Sequence, residues 1–96
     1  MKIKDIVANI GRINIIAQIE SISEIKEFSR FGKTGKVASA IIKDDSGEIK
    51  LTLWDEQTEE FKEGDKIEIQ NGYSKEWQGE LQLSVGRYGK LEKITN

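Results

Sequence analysis

The fold is decided by residues 41–54, which read IIKDDSGEIKLTLW. The triplet Asp45-Ser46-Gly47 predicts a tight hairpin turn, because these residue types adopt the backbone conformations that such turns need. After the turn, apolar and polar residues alternate, which is typical of a half-buried strand. The predicted inward residues are Ile49, Leu51 and Leu53, and the predicted outward residues are Glu48, Lys50, Thr52 and Trp54. The stretch therefore encodes a β-hairpin with a tryptophan on its solvent side.

Three more strands are predicted around this hairpin, which joins a second strand at 36–44 to a third at 48–54. Residues 12–28 are rich in isoleucine and predict one long, bent first strand. Residues 65–71 and 80–85 carry apolar residues at alternate positions, which indicates a fourth and a fifth strand.

The connections are marked by glycine, since the chain contains no proline. Residues 29–35, SRFGKTG, and residues 72–79 predict two long glycine-bounded loops. Residues 55–62 predict a short acidic helix with Phe61 as its apolar anchor, and residues 2–10 predict a short helix or turn.

Five strands with a short helix between the third and the fourth indicate an all-β, five-stranded OB-fold barrel. Strands this short cannot bury a core as an open sheet, whereas a closed barrel with the helix at one end encloses the apolar faces and removes the edges. A length of 96 residues suits one domain, so residues 1–96 are predicted to fold as a single unit.

The composition argues against an enzyme. The chain has neither histidine nor cysteine, which removes zinc sites of the usual kind, thiolate chemistry and Ser-His or Cys-His catalysis. We therefore expect no catalytic residue, no metal and no cofactor. Neither a long apolar run nor a signal segment is present, so we expect an intracellular protein without a membrane partner, cytoplasmic and nucleoid-associated, or nuclear in a eukaryote.

The net charge of −2 argues against a nucleic-acid partner, but its distribution favours one. Residues 29–54 carry five Lys or Arg against three Asp or Glu, whereas residues 55–72 carry two against seven. Because charges act over roughly a Debye length of about 8–10 Å, the local surplus matters more than the total.

Residues 41–54 resemble the DNA-binding OB domains of replication protein A and the single-OB archaeal and eukaryotic single-stranded DNA-binding proteins. The resemblance covers nearly the whole chain and rests on the order and spacing of several short pieces. After Asp55-Glu56 these pieces are Gly64-Asp65, Asn71-Gly72-Tyr73, Trp77-Gln78-Gly79 and the run LQLSVGRYGKLEKI at 81–94, with KIKDI at 2–6 before them.

This resemblance implies binding of single-stranded DNA with little sequence preference, in replication, repair or recombination. It also implies that the chain is one module of a longer protein, with other OB domains or replication and repair proteins as further partners. Ser84 departs from the family pattern, because some relatives have an aromatic residue on this outward position. The resemblance therefore implies either that one stacking position is missing or that Tyr88 supplies it.

Single strands are held by aromatic rings that stack on bases and by cations that follow the phosphates. Trp54 is the first candidate, because the inward face of its strand is already occupied by aliphatic residues, although a core position is its alternative. Trp77 and Phe31 lie among polar or basic residues in the predicted loops, and Tyr73 either binds or covers the barrel mouth. Phe28 and Phe61 are assigned to the core. The predicted phosphate contacts are Arg30, Lys33, Lys36, Lys43, Lys50, Arg87 and Lys90.

Two other motifs have simpler explanations. The stretch FGKTGK at 31–36 lacks the P-loop spacing and precedes no helix, so it is not a phosphate-binding loop. The acidic pairs Asp44-Asp45 and Glu59-Glu60 fit a hairpin turn and a solvated helix face better than a metal site.

Two rival functions remain open at this level. The first is an RNA-binding OB domain of the tRNA anticodon-binding type, which would add hydrogen bonds to base edges and the 2′-hydroxyl. The second is a protein-interaction OB module, which the net charge of −2 and Ser84 favour.

Overall fold

Seven β-strands and one short helix make up the computed structural model, which describes residues 1–86 and 88–94 apart from the side chain of Arg30. In chain order the strands are β1 (Ile13–Ile22), β2 (Lys26–Arg30), β3 (Lys33–Asp44), β4 (Gly47–Trp54), β5 (Lys66–Trp77), β6 (Glu80–Ser84) and β7 (Lys90–Lys93). The helix α1 (Gln57–Glu60) is a single turn, and a 3-10 turn (Ile3–Asp5) precedes β1. No helix within these described ranges is long and apolar enough to cross a membrane.

Five of the strands close into a ring in the order β1–β3–β4–β6–β5, with β5 returning to β1. Neighbours in the ring are antiparallel except β4 and β6, which run parallel where residues 50–52 face residues 82–84. The α1 turn lies between the third and fourth ring strands of the sequence, β4 and β5. The predicted five-stranded barrel with one short helix is therefore confirmed.

The barrel interior is filled by the alternating apolar residues that the sequence predicts. Its largest fully buried side chains are Ile13, Ile19, Ile42, Leu51, Leu53, Ile67, Ile69 and Leu83. Phe61, directly after α1, is buried with them, as predicted for the apolar anchor of the helix. Burying one such side chain contributes about 1.5–3 kcal/mol, so this inward face supplies most of the stability.

Hydrogen bonds to the Asp44 carboxylate link the amino-terminal segment to the β3–β4 turn. One carboxylate oxygen of Asp44 accepts hydrogen bonds from the Ser46 amide (2.7 Å) and hydroxyl (2.6 Å), and the other accepts one from the Ile3 amide (2.9 Å). Desolvation raises the pKa of Asp44, but these bonds and one from the Gly47 amide outweigh it and lower the pKa to about 2. Ile3 and Ile6 are thereby held in the core.

The two predicted long loops are wrong, because both segments belong to strands. In the first, β2 and residues 33–37 of β3 form a two-stranded ribbon, and Arg30 pairs with Lys33 across a turn at Phe31 and Gly32. In the second, β5 continues to Trp77 and turns at Gln78 and Gly79. The tips of both hairpins are exposed on either face, so the alternation that identifies a strand is missing from their sequence.

Two further differences concern strand number. The predicted first strand is interrupted at residues 23–25, where the chain leaves β1 and enters the ribbon, so the expected bend is a break between β1 and β2. The strand β7 was not predicted, and it pairs with residues 67–70 of β5 outside the ring. Its four residues are too short to show a pattern, and only Leu91 packs on the core.

Candidate nucleic-acid interface

The outward side chains of β3, β4, β6 and the second half of β5 form two rows across the barrel. They align because directly paired residues of neighbouring strands point to the same side of a sheet. The rows are Ser39–Thr52–Ser84–Tyr73 and Ile41–Lys50–Gln82–Lys75, and these eight residues are called the outer face below. Most of these side chains are short or polar, which leaves room for a ligand to lie across the strands.

Trp54 borders the outer face at the end of β4, where it pairs with Val37 of β3. The predicted outward orientation is confirmed, since 41% of the residue is exposed. Its indole meets the ring of Phe28 edge to face, with 6.2 Å between ring centroids and 90° between planes. Phe28 is itself 39% exposed, so its assignment to the core is wrong. The reason is that β2 belongs to the ribbon, which has no barrel interior beneath it.

Tyr73 belongs to the outer face, and Trp77 borders it at the end of β5 with the same outward parity. Tyr73 faces Ser84 across the strand pair, packs on Gly86, and has the Lys75 ammonium 5.8 Å from its ring centroid. An aromatic ring therefore lies beside Ser84, one strand away from the position where the family pattern suggests one. Trp77 lies at the tip of the β5–β6 hairpin and is 65% exposed.

Phe31 occupies the tip of the ribbon and is 96% exposed. Its φ of 52° and the φ of 76° at Gly32 are the pair of positive values that defines a type I′ turn. This conformation suits asparagine and glycine but costs a bulky residue about 1–2 kcal/mol. Because strained backbone occurs more often at functional sites than elsewhere, the exposed ring of Phe31 is a candidate binding position.

Two grooves border the outer face, touching it at Ser39, Ile41 and Lys50. One has a volume of about 690 Å³ and runs between the end of β1, Lys26 of the ribbon and the β3 residues Val37, Ser39 and Ile41. The other, of about 610 Å³, runs from Ile41 to Glu80 at the β5–β6 hairpin. Both are lined by Ile41 and Lys50, so together they form one path from the ribbon to the hairpin.

The lysines near this path differ in their ion pairs. Lys50 contacts Glu80 at 2.6 Å, and Lys43 contacts Glu20 at 3.4 Å. Among the ion pairs of the described residues, none involves Lys26, Lys33 or Lys75. The exposed pairs contribute little to stability, and a phosphate can compete with either carboxylate.

Lys36 lies on the opposite side of β3 from Trp54 and pairs with Glu59 of α1 at 2.7 Å. The hydrogen bond between them raises the pKa of Lys36 and lowers that of Glu59. Its surroundings are acidic, with Glu27, Asp55 and Glu56 lining the same pocket. The structure therefore does not bring Lys36 together with the other predicted contacts.

Within the described residues, no group of three or more acidic side chains is placed to hold a metal ion. What the outer face combines is aromatic rings, hydroxyl and amide groups, and lysines. This set is suited to stacking, hydrogen bonding and charge pairing with a polyanion.

Comparison with known proteins agrees with this geometry. The family model named for the tRNA anti-codon and described as an OB-fold nucleic acid binding domain matches residues 13–91. The chain belongs to this OB-fold nucleic-acid-binding family.

The chain is also similar to a single-stranded DNA binding protein and to two OB-fold domains of solved structure. It is 27% identical over 94 residues to the single-stranded DNA binding protein Ssb of Saccharolobus solfataricus, a match that covers 98% of this chain and 64% of the relative's length. The second OB-fold domain of replication protein A from Methanococcus maripaludis is 35% identical, with a TM-score of 0.81, and the match covers 100% of this chain and 95% of that one. The OB domain of Ta0387 from Thermoplasma acidophilum is 27% identical, with a TM-score of 0.84 and coverage of 100% and 87%. The resemblance to both families is confirmed.

The structure brings five of the predicted site residues together at the outer face. Trp54, Tyr73, Trp77, Lys43 and Lys50 lie on or beside the outer face, whereas Phe31 and Lys33 lie on the ribbon. Tyr88 is exposed in the β6–β7 connection, where its carbonyl accepts a hydrogen bond from Asn71, and Lys90 is exposed at the start of β7. Arg87 lies outside the described residues, and of Arg30 only the backbone, in β2, is described.

Sequence reasoning missed four residues of this surface, which are Lys26, Phe28, Lys75 and Gln82. The outward orientation of Lys75 and Gln82 could have been predicted from the sequence, since each lies two positions from an outward residue of its own strand. Lys26 and Phe28 have none, because their place depends on how the ribbon pairs.

Proposed function

We propose that the OB domain binds single-stranded DNA with little sequence preference. Bases stack on Trp54, Tyr73, Trp77 and Phe31, and phosphates contact the lysines along the groove. The observation that carries the proposal is that the exposed Trp54 and Trp77 border one face of the barrel, which also holds Tyr73, Lys50 and Lys75. The DNA-binding relative and the replication protein A domain support DNA as the ligand.

The process we propose is replication, repair or recombination, and it includes no catalytic step. Support comes from the replication protein A domain, which is the most nearly identical of the relatives described above. Because one similar structure is the second OB-fold domain of replication protein A, we further propose that the chain works as one module beside other OB domains or replication and repair proteins.

A titration of tryptophan fluorescence tests the proposal. Unlabelled single strands and duplexes of equal length and composition are added to the protein at one salt concentration. Stacking requires unpaired bases, so the single strand should quench the fluorescence and bind far more tightly than the duplex. Equal affinity for both would exclude stacking as the mechanism.

RNA is the second candidate, because the matched family model carries the tRNA anti-codon name. The hydroxyl groups of Ser39, Thr52 and Ser84 lie in one row of the outer face and offer hydrogen bonds to a 2′-hydroxyl. Matched DNA and RNA oligomers of one sequence distinguish the candidates, since tighter binding of RNA would favour the second.

A further inference from the structure

Phe28, Gly35 and Trp54 form a line across β3 on the same side as the outer face. In the register, Phe28 of β2 pairs with Gly35, and Trp54 of β4 pairs with Val37, so the two aromatic residues flank β3 from opposite sides. Their rings nevertheless meet, with centroids 6.2 Å apart. The Phe28 ring must therefore lie across the strand, directly over Gly35.

Gly35 is needed for space and not for its backbone. The described glycines with positive φ are Gly32, Gly64 and Gly79, so Gly35 has a conformation that other residues adopt. A Cβ atom at Gly35, however, would lie 2.5 Å from Cζ of Phe28 and 3.0 Å from both of its Cε atoms. Real Cβ contacts are essentially never shorter than 3.0 Å, so any larger residue would displace the ring.

This arrangement is not explained by core packing, since the ribbon has no interior and 39% of Phe28 is exposed. Edge-to-face aromatic pairs have a preferred mutual orientation, so the contact restricts the indole while 41% of Trp54 stays exposed for stacking. A stacking side chain that is already oriented loses less conformational entropy when a base arrives.

We propose that Phe28, placed over Gly35, is a positioning residue that orients Trp54 for base stacking. The proposal rests on the proposed function, because it assigns a role within the same surface. It also explains why position 35 is a glycine, although Gly35 lies outside the turn at Phe31 and Gly32.

The test compares Gly35→Ala with Gly11→Ala, which is the same substitution at a glycine with no other atom within 4 Å of its Cβ position and no positive φ. Both are made in a Trp77→Phe background, because the chain has two tryptophans and Trp54 is then the only one that reports. Near-ultraviolet circular dichroism of the free protein should lose intensity at the tryptophan bands in Gly35→Ala and not in Gly11→Ala. An unchanged spectrum in Gly35→Ala would overturn the proposal, whatever the protein binds.

Binding is then measured by the anisotropy of a labelled single strand. Gly35→Ala and Phe28→Ala should each weaken binding by roughly three- to tenfold, which is the range expected from an aromatic pair. Combined with Trp54→Ala, each should add little to the loss caused by Trp54→Ala alone. Fully additive losses would show that Phe28 contacts the strand independently, and would overturn the positioning role. If Trp54→Ala itself leaves binding unchanged, the proposed function fails, while the spectra still decide the contact between the rings.

Discussion

At the scale of single residues, the positive φ of Phe31 lowers the free energy of unfolding, while its side chain is almost fully exposed. Because asparagine is preferred in a type I′ turn, Phe31→Asn should raise the free energy of unfolding by up to about 1 kcal/mol. The same change should weaken single-strand binding, since a stacking ring is lost. Urea denaturation and oligonucleotide anisotropy measure the two effects.

Gln78 provides the matched control, because it holds the same position in the β5–β6 turn with a φ of 51°. Gln78→Asn should stabilise the protein similarly and leave binding nearly unchanged. If Phe31→Asn binds as tightly as the parent protein, the strained ring is not part of the interface.

Trp54 and Trp77 should respond differently to truncation. Trp54→Ala should weaken single-strand binding by about 1–3 kcal/mol. It should cost less than about 1.5 kcal/mol of stability, because Trp54 is 41% exposed, lies outside the core cluster and forms an aromatic pair with Phe28. Trp77→Ala should cause a smaller binding loss, since an exposed hairpin tip loses entropy when it is ordered. A core tryptophan would instead cost about 3–5 kcal/mol of stability. Melting temperatures and affinities of both variants distinguish these cases, and a Trp54→Ala variant that melts while its folded fraction still binds would contradict the assignment.

The sequence predicts those site residues whose parity is set by a buried neighbour. Trp54 is one, because Leu51 and Leu53 define the inward face of β4. Phe28 and Lys36 are not, because the ribbon has no buried face and their sides are set by pairing with Gly35 and Glu27. In the structure these two residues lie on opposite sides of the ribbon, with Phe28 beside Trp54 and Lys36 beside Glu59.

At the scale of elements, the ring strands were predictable and the projecting ones were not. The strands β1 and β4 and the first half of β5 bury alternate side chains, and β6 buries Leu83 and packs Leu81 partly on the core. This alternation is present in the sequence. The ribbon and the β5–β6 tip bury no side chain in the barrel core, so their sequence lacks the alternation of apolar and polar residues. Segments without a buried face are therefore the ones that sequence reasoning takes for loops.

The junction of the 3-10 turn with the β3–β4 turn should be sensitive to acid. The pKa of Asp44 is lowered to about 2, from 3.8 in an unfolded chain, so the ionised carboxylate stabilises the folded state above about pH 4. This contribution should be lost as the pH falls from about 4 through 2. Replacing the carboxylate by an amide, in Asp44→Asn, should destabilise the protein near neutral pH and remove this part of the pH dependence. Denaturation curves recorded between pH 2 and 7 test it, and parallel pH profiles for both proteins would contradict the assignment.

At the scale of the whole molecule, acidic residues lie on both sides of β3, and those that line the two grooves (Glu24, Glu48 and Glu80) alternate with Lys26 and Lys50. The carboxylates of Glu56 and Glu59 surround Lys36 on the side of β3 away from the outer face. On the groove side, the pairs Lys50–Glu80 and Lys43–Glu20 hold lysines that a phosphate can recruit. The field that a single strand meets is therefore set by these local pairs, and the total of −2 says little about it.

These pairs make the salt dependence of binding a test of the proposed path. With about three to five phosphate contacts, the logarithm of the binding constant should fall with the logarithm of salt concentration at a slope of about −2 to −3.5.

When Lys50 moves from Glu80 to a phosphate, the freed carboxylate attracts a cation and cancels part of the ion release. Glu80→Gln removes this compensation, so it should raise affinity at low salt and steepen the slope by about 0.7. Glu59→Gln is the control, because it frees Lys36 on the opposite side of β3 and should leave the slope unchanged. If Glu59→Gln steepens the slope and Glu80→Gln does not, the strand follows the acidic side of the ribbon and the outer face is not its path.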